Sequence, residues 1–233
     1  MRCHFCSPTE HQGLNVDVHC FPKPVALRRW LLSLAHTCLD LWCQAGSSWE
    51  RTREEGLAHF LEHMVFKGSQ QLAAGAFDRE IEALGGSSNA ATGFDDVHFH
   101  VLIPPEQAPV ALELLLDLVL NPALAEDAFE LERDVVLEEI AQYEDQPDEQ
   151  VLQQTLTRAC PQHAYGRPIL GWPKSLQAMT PATMRQFHQR RYRGPNCCLA
   201  ISGCDVKSLR SCIETSPLAK QPSGAASPAG AGG

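Results

Sequence analysis

The chain has 233 residues, 44% of them hydrophobic, with 10 Cys, 10 His and 19 Lys+Arg against 28 Asp+Glu for a net charge of -9; that is chain enough for one large core or two small ones. The acidity is local, because residues 126–149 hold eleven acids and a single base, Arg133, leaving the rest of the chain near neutrality. A globally basic nucleic-acid binder is excluded, and no uninterrupted apolar run reaches the roughly 18 residues that a membrane span would need.

In chain order, Leu14 to His19 and Cys38 to Cys43 read as short strands, and the segment Ala26 to Thr37 between them fits no clear pattern. A helix is predicted from Glu54 to Lys67, with Leu57, Phe60, Leu61, Met64 and Val65 at helical spacing and Gly68 as its stop. A second follows from Ala76 to Leu84, ended by Gly85-Gly86. Ser87 to Thr92 and Val97 to Ile103 then read as two strands, the latter stopped by Pro104-Pro105.

Gln107 to Leu120, Asp127 to Tyr143, Glu149 to Arg158 and Pro181 to Arg191 are predicted helices, with a turn-rich stretch from Cys160 to Pro173 and a buried strand from Cys197 to Ser202. The mixture predicts an α+β fold, a mostly antiparallel sheet with helices packed on one side. Residues 1–12 read as an N-terminal extension, 13–215 as the folded domain and 216–233 as a disordered tail. From Gln221 to Gly233 that tail contains only Gln, Pro, Ser, Gly and Ala. The cysteines follow no disulfide framework and no cleaved secretory signal precedes them, which points to a reducing, cytoplasmic setting.

The informative stretch is His59-Phe60-Leu61-Glu62-His63. Histidines at i and i+4 lie one helical turn apart on one face, so both imidazoles can reach a single ion. Glu62 projects beside them, where a carboxylate can take a proton from a bound water. The acidic block offers candidates for a third ligand: Glu132 and Glu139 are seven residues apart on one helix and share a face. A carboxylate on a packed face is costly unless it is paired or bound to a cation. His98 and His100 alternate onto one face of a strand, but no third ligand is spaced in the sequence to join them. Cys3-His4-Phe5-Cys6 has one CxxC spacing and no partner pair.

Gly56 to Gly68, with His59-x-x-Glu62-His63 inside it, resembles the zinc signature of the pitrilysin-like (M16) metallopeptidases. The resemblance runs from about Gly13 to Leu209 and is nearest to the processing-protease-like bacterial branch. It implies the first of two homologous α+β halves, with His59, His63 and Glu139 as ligands to one Zn2+, Glu62 as catalytic base and Glu132 as a supporting carboxylate that orients the first histidine or its neighbours. Asn89-Ala90-Ala91-Thr92 is similar to the family's active-site edge strand, and so implies peptide binding by strand addition at Asn89, Ala90 and Thr92. The implied activity is peptide hydrolysis by a metal-activated water, with a second half or subunit as partner. The alternative is a non-catalytic M16-like subunit, or a truncated zinc-binding half without turnover. Ala26 to Thr37 resembles extra sequence before the Leu39-Asp40-Leu41-Trp42 strand, either an insertion or a disturbed N-terminus that damages the first strand pairing.

Overall fold

The computed structural model describes residues 16–20, 26–30 and 36–220. Its sheet is built from β1 (Val16–Cys20), β2 (Ala26–Trp30), β3 (Thr37–Cys43), β4 (Ser87–Thr92), β5 (Val97–Ile103) and β6 (Cys197–Ser202). Nine α-helices appear among the described residues: α1 (Leu57–Val65), α2 (Ala76–Ala83), α3 (Ala108–Leu120), α4 (Glu126–Glu144), α5 (Pro147–Ala159), α6 (Pro173–Ala178), α7 (Pro181–Arg191), α8 (Arg210–Thr215) and α9 (Pro217–Lys220).

The strand order is β1-β2-β6-β3-β5-β4, antiparallel throughout except for the parallel β2–β6 pair. The fold is therefore α+β with a mostly antiparallel sheet, as the element pattern predicts. Alternation assigns its two faces. Leu39, Leu41 and Cys43 of β3, Val97, Phe99, Val101 and Ile103 of β5, and Leu199 and Ile201 of β6 are buried under the helices. Asp40, Trp42, His98, His100 and Leu102 point the other way and are half-buried or exposed.

Ala26–Trp30, which shows no clear sequence pattern, is a strand between β1 and β6. Its partners lie far away in sequence or in a strand that itself needs β2 for pairing, so local patterning carries little information about it. At the other end the folded part passes the expected boundary at residue 215. The short helix α9 buries Leu218, and Ser216 before it is buried too; residues 216–220 are thus not tail. Residues 221–233 and the Cys3–Cys6 motif lie outside the described residues.

Helix α1 begins three residues later than its pattern predicts. Gly56 takes φ +93° in the left-handed region, which halts helical geometry, and a Cβ there would sit 2.5 Å from the Leu170 carbonyl oxygen. Glu54, just outside, is instead held by the Arg190 guanidinium, both carboxylate oxygens lying within 3.0 Å of Nη2. From Leu57 onward the apolar repeat is completely buried. Helix α4 crosses α1 with Phe129, Glu132, Val136 and Ile140 buried along one stripe, and the Phe60 and Phe129 rings meet at 4.7 Å. A carboxylate, Glu132, thus stands within an apolar stripe and must find partners there. No helix among the described residues is long and apolar enough to cross a membrane.

Candidate metal centre

Helix α1 carries His59, Glu62 and His63, and its start is fixed by a residue from the preceding loop. The buried Glu50 carboxylate accepts the Ala58 N–H at 2.8 Å and the Gly56 N–H at 3.1 Å, satisfying donors that a helix N-terminus leaves unpaired. Burial pushes the Glu50 carboxyl well up, against the opposing pull of these two backbone hydrogen bonds. Sequence spacing gives no sign of this role, because Glu50 lies outside the helix it caps.

His59, His63 and Glu139 place one donor atom each so that all lie within 4.8 Å of one another. Glu139 reaches across from α4, with its oxygens 3.7 Å from His59 Nε2 and 3.4 Å from His63 Nε2. Both imidazoles therefore turn Nε2 toward the same point. Burial, and then the neighbouring His63, lowers the His59 pKa to about 4, which leaves a neutral ring able to ligate at pH 7. At His63 burial acts downward, but hydrogen bonds to Glu139 and Glu132 outweigh it and the pKa is raised. The His63 hydrogen bond holds the Glu139 carboxyl below its ordinary range.

Glu132 supports the second histidine and not the first. Its Oε1 accepts from His63 Nδ1 at 2.9 Å and its Oε2 pairs with Lys67 Nζ at 2.7 Å. The reason is the crossing of α1 and α4, which brings position 132 beside residues 63 and 67 while leaving His59 Nδ1 buried without a hydrogen-bond partner among the described residues. Lys67 lies two residues beyond the end of α1, in the turn that follows it, so helical spacing gives no sign of this contact.

Glu62 lies beside these groups. Burial raises its pKa, opposed mainly by a hydrogen bond donated by the Thr92 hydroxyl. Thr92 thus acts through its side chain on Glu62, from the buried-side face of β4. Ala90 shares that face by alternation, whereas Asn89 points away, its Oδ1 accepting the Ala90 N–H at 2.9 Å. Among the described residues strand β4 lies at the sheet edge, paired only with β5. A groove of about 320 Å³ runs between it and α1, lined by Glu62, His63, Lys67, Ser88, Asn89, Ala90 and Glu132. A larger cavity, about 480 Å³, is bounded by α4, α5 and Trp172 and is lined by none of the candidate ligands.

The donor set fits zinc: two neutral-capable imidazole nitrogens and a carboxylate match the three protein ligands of a catalytic zinc centre, whose fourth position is left to water or substrate. The Glu132 contact fixes the His63 tautomer with Nδ1 as donor, as ligating histidines require.

The family profile described as Insulinase (Peptidase family M16) matches residues 35–172, more than half of the chain. The chain belongs to the M16 peptidase family. Among its M16 relatives, an uncharacterized zinc protease of Mycobacterium tuberculosis is 36% identical over 165 residues, 71% of this chain and 38% of that protein. The β subunit of mitochondrial-processing peptidase from Bos taurus is 33% identical over 170 residues, 73% of this chain and 35% of its own. A solved M16 peptidase inactive domain from Pseudomonas fluorescens superimposes with a TM-score of 0.81 at 22% identity, covering 91% of this chain and 52% of that one. The M16 chain described here thus spans well under half the length of these two sequence relatives.

Proposed function

We propose that this chain is the metal-bearing half of a zinc-dependent metalloendopeptidase that cleaves peptides with a metal-activated water and acts together with a second homologous half. The observation that carries this reading is the convergence of His59, His63 and Glu139 on one point beside Glu62. One Zn2+ per chain is held by those three residues. When bound, zinc would supply the Lewis acidity that lowers the pKa of water toward neutrality.

The protein's own groups do the rest. Glu62, oriented by the Thr92 hydroxyl, receives the water proton and returns it to the leaving amine; general acid–base help of this kind is worth about 10²–10⁴ in rate. Its burial raises its proton affinity and so suits it to the task. Glu132 holds His63 in the ligating orientation. A peptide lies in extended form along the free edge of β4, its backbone pairing with residues 89–92, while Ala90 and Asn89 border the groove. The relatives carry more than as much chain again beyond the matched part, which supports a second half acting with this one.

The likeness to a domain described as inactive favours a second reading, a subunit that keeps the fold without turnover. Zinc content and cleavage of an unfolded peptide, measured with and without a candidate partner half, separate the two. The proposal expects zinc in both the wild type and Glu62→Gln, and cleavage in the wild type alone. Hydrolysis retained by Glu62→Gln refutes the assigned base, and a zinc-free wild-type chain supports the non-catalytic subunit.

A further inference from the structure

The open face of the sheet, opposite the helices, carries a second group of metal-ligating side chains. His98 and His100 lie on it two residues apart in β5, and the register sets Asp40 of β3 directly opposite His100. Asp40 Oδ1 is 3.1 Å from His98 Nδ1, and one donor atom each from Asp40, His98 and His100 lies within 4.8 Å of the others. The third ligand that the sequence spacing does not supply thus comes from the neighbouring strand.

We propose that Asp40, His98 and His100 form a second metal site, for a zinc-type divalent transition-metal ion. Donors about 2.0–2.2 Å from an ion are separated by roughly 2.8–3.6 Å when the angle between them runs from right to tetrahedral. The 3.1 Å between Asp40 and His98 falls within that interval. Imidazole nitrogen with one carboxylate selects zinc, copper or nickel over magnesium and calcium, which take oxygen donors.

The ring of His98 is fixed independently, stacked on Trp42 with centroids 4.3 Å apart and planes 12° from parallel, so little ordering is needed when an ion arrives. The three side chains are only half-buried, which leaves room for water at the remaining coordination positions. An ion held there bridges β3 and β5 through side chains on the face that no buried apolar residue of these strands occupies.

The test isolates the site by removing the first one. Zinc is titrated into the full chain carrying His59→Ala and His63→Ala, and again after adding His98→Gln and His100→Gln. One Zn2+ per chain in the former and at least about a tenfold loss of affinity in the latter are expected. No zinc bound to the first variant, or binding that survives the second pair of changes, overturns the proposal. A second measurement avoids the His59 and His63 changes: Cu2+ is expected to quench the part of the tryptophan emission that Trp42→Phe removes, and to lose that effect in His98→Gln/His100→Gln. Failure of Cu2+ to quench it refutes the site.

Discussion

Replacing Glu132 tests whether the carboxylate that supports the proposed metal centre works as its geometry dictates. The carboxylate is buried between two partners, His63 Nδ1 at 2.9 Å and Lys67 Nζ at 2.7 Å. Glu132→Ala removes the acceptor that fixes the His63 tautomer, whereas Lys67, 38% exposed, can turn to water and loses little. Loss of such an outer partner lowers metal affinity about 10–100-fold, which is roughly 1.4–2.8 kcal/mol. Glu132→Gln keeps a carbonyl oxygen for the Nδ1–H while losing the charge and turning the Lys67 acceptor into an amide donor, which the part-exposed Lys67 avoids by turning to water, so it belongs near the lower end. Competition for zinc against a chromogenic chelator measures the order directly. An alanine variant within about twofold of wild type would mean that His63 needs no such support.

Other expectations come from the scaffold around the site. Glu50→Ala leaves the Gly56 and Ala58 N–H groups at the start of α1 without their acceptor and should cost about 1–3 kcal/mol in urea unfolding. Gly56→Ala should lower the thermal midpoint by an amount worth about 1–3 kcal/mol, since φ is +93° and the new Cβ meets the Leu170 carbonyl at 2.5 Å. His188 is half-buried with its Nε2 2.9 Å from the Val119 carbonyl oxygen, and desolvation of the ring lowers its pKa from 6.5. Below that value the unfolded chain takes up the proton and the folded one resists, so this contribution is complete above about pH 6.5 and is lost as the pH falls. His188→Gln should therefore shrink the stability difference between about pH 7.5 and 5.5, measured by urea titration.

Local periodicity makes one half of the proposed metal centre legible. Within α1 the 3.6-residue repeat both buries Leu57, Phe60, Leu61, Met64 and Val65 and sets His59 one turn from His63, so one reading yields the core face and the ligand pair together. The same holds for the alternating strands β3 and β5, whose inward residues are visible as Leu39, Leu41, Phe99 and Val101. Glu139 was reachable from its helix face only as one of two candidates, and the resemblance to the M16 family singled it out.

What the tertiary structure alone decided lies between elements. The crossing of α1 and α4 put Glu132 on His63 instead of His59, and the pairing of β4 with β5 turned Thr92 toward Glu62 and Asn89 away. Strand register brought Asp40 beside two histidines 58 and 60 positions further along the chain. Side-chain spacing within one helix or strand follows from backbone geometry that every residue shares. Which residues meet across two elements depends on register and crossing angle, and those are fixed by the packing of the whole core.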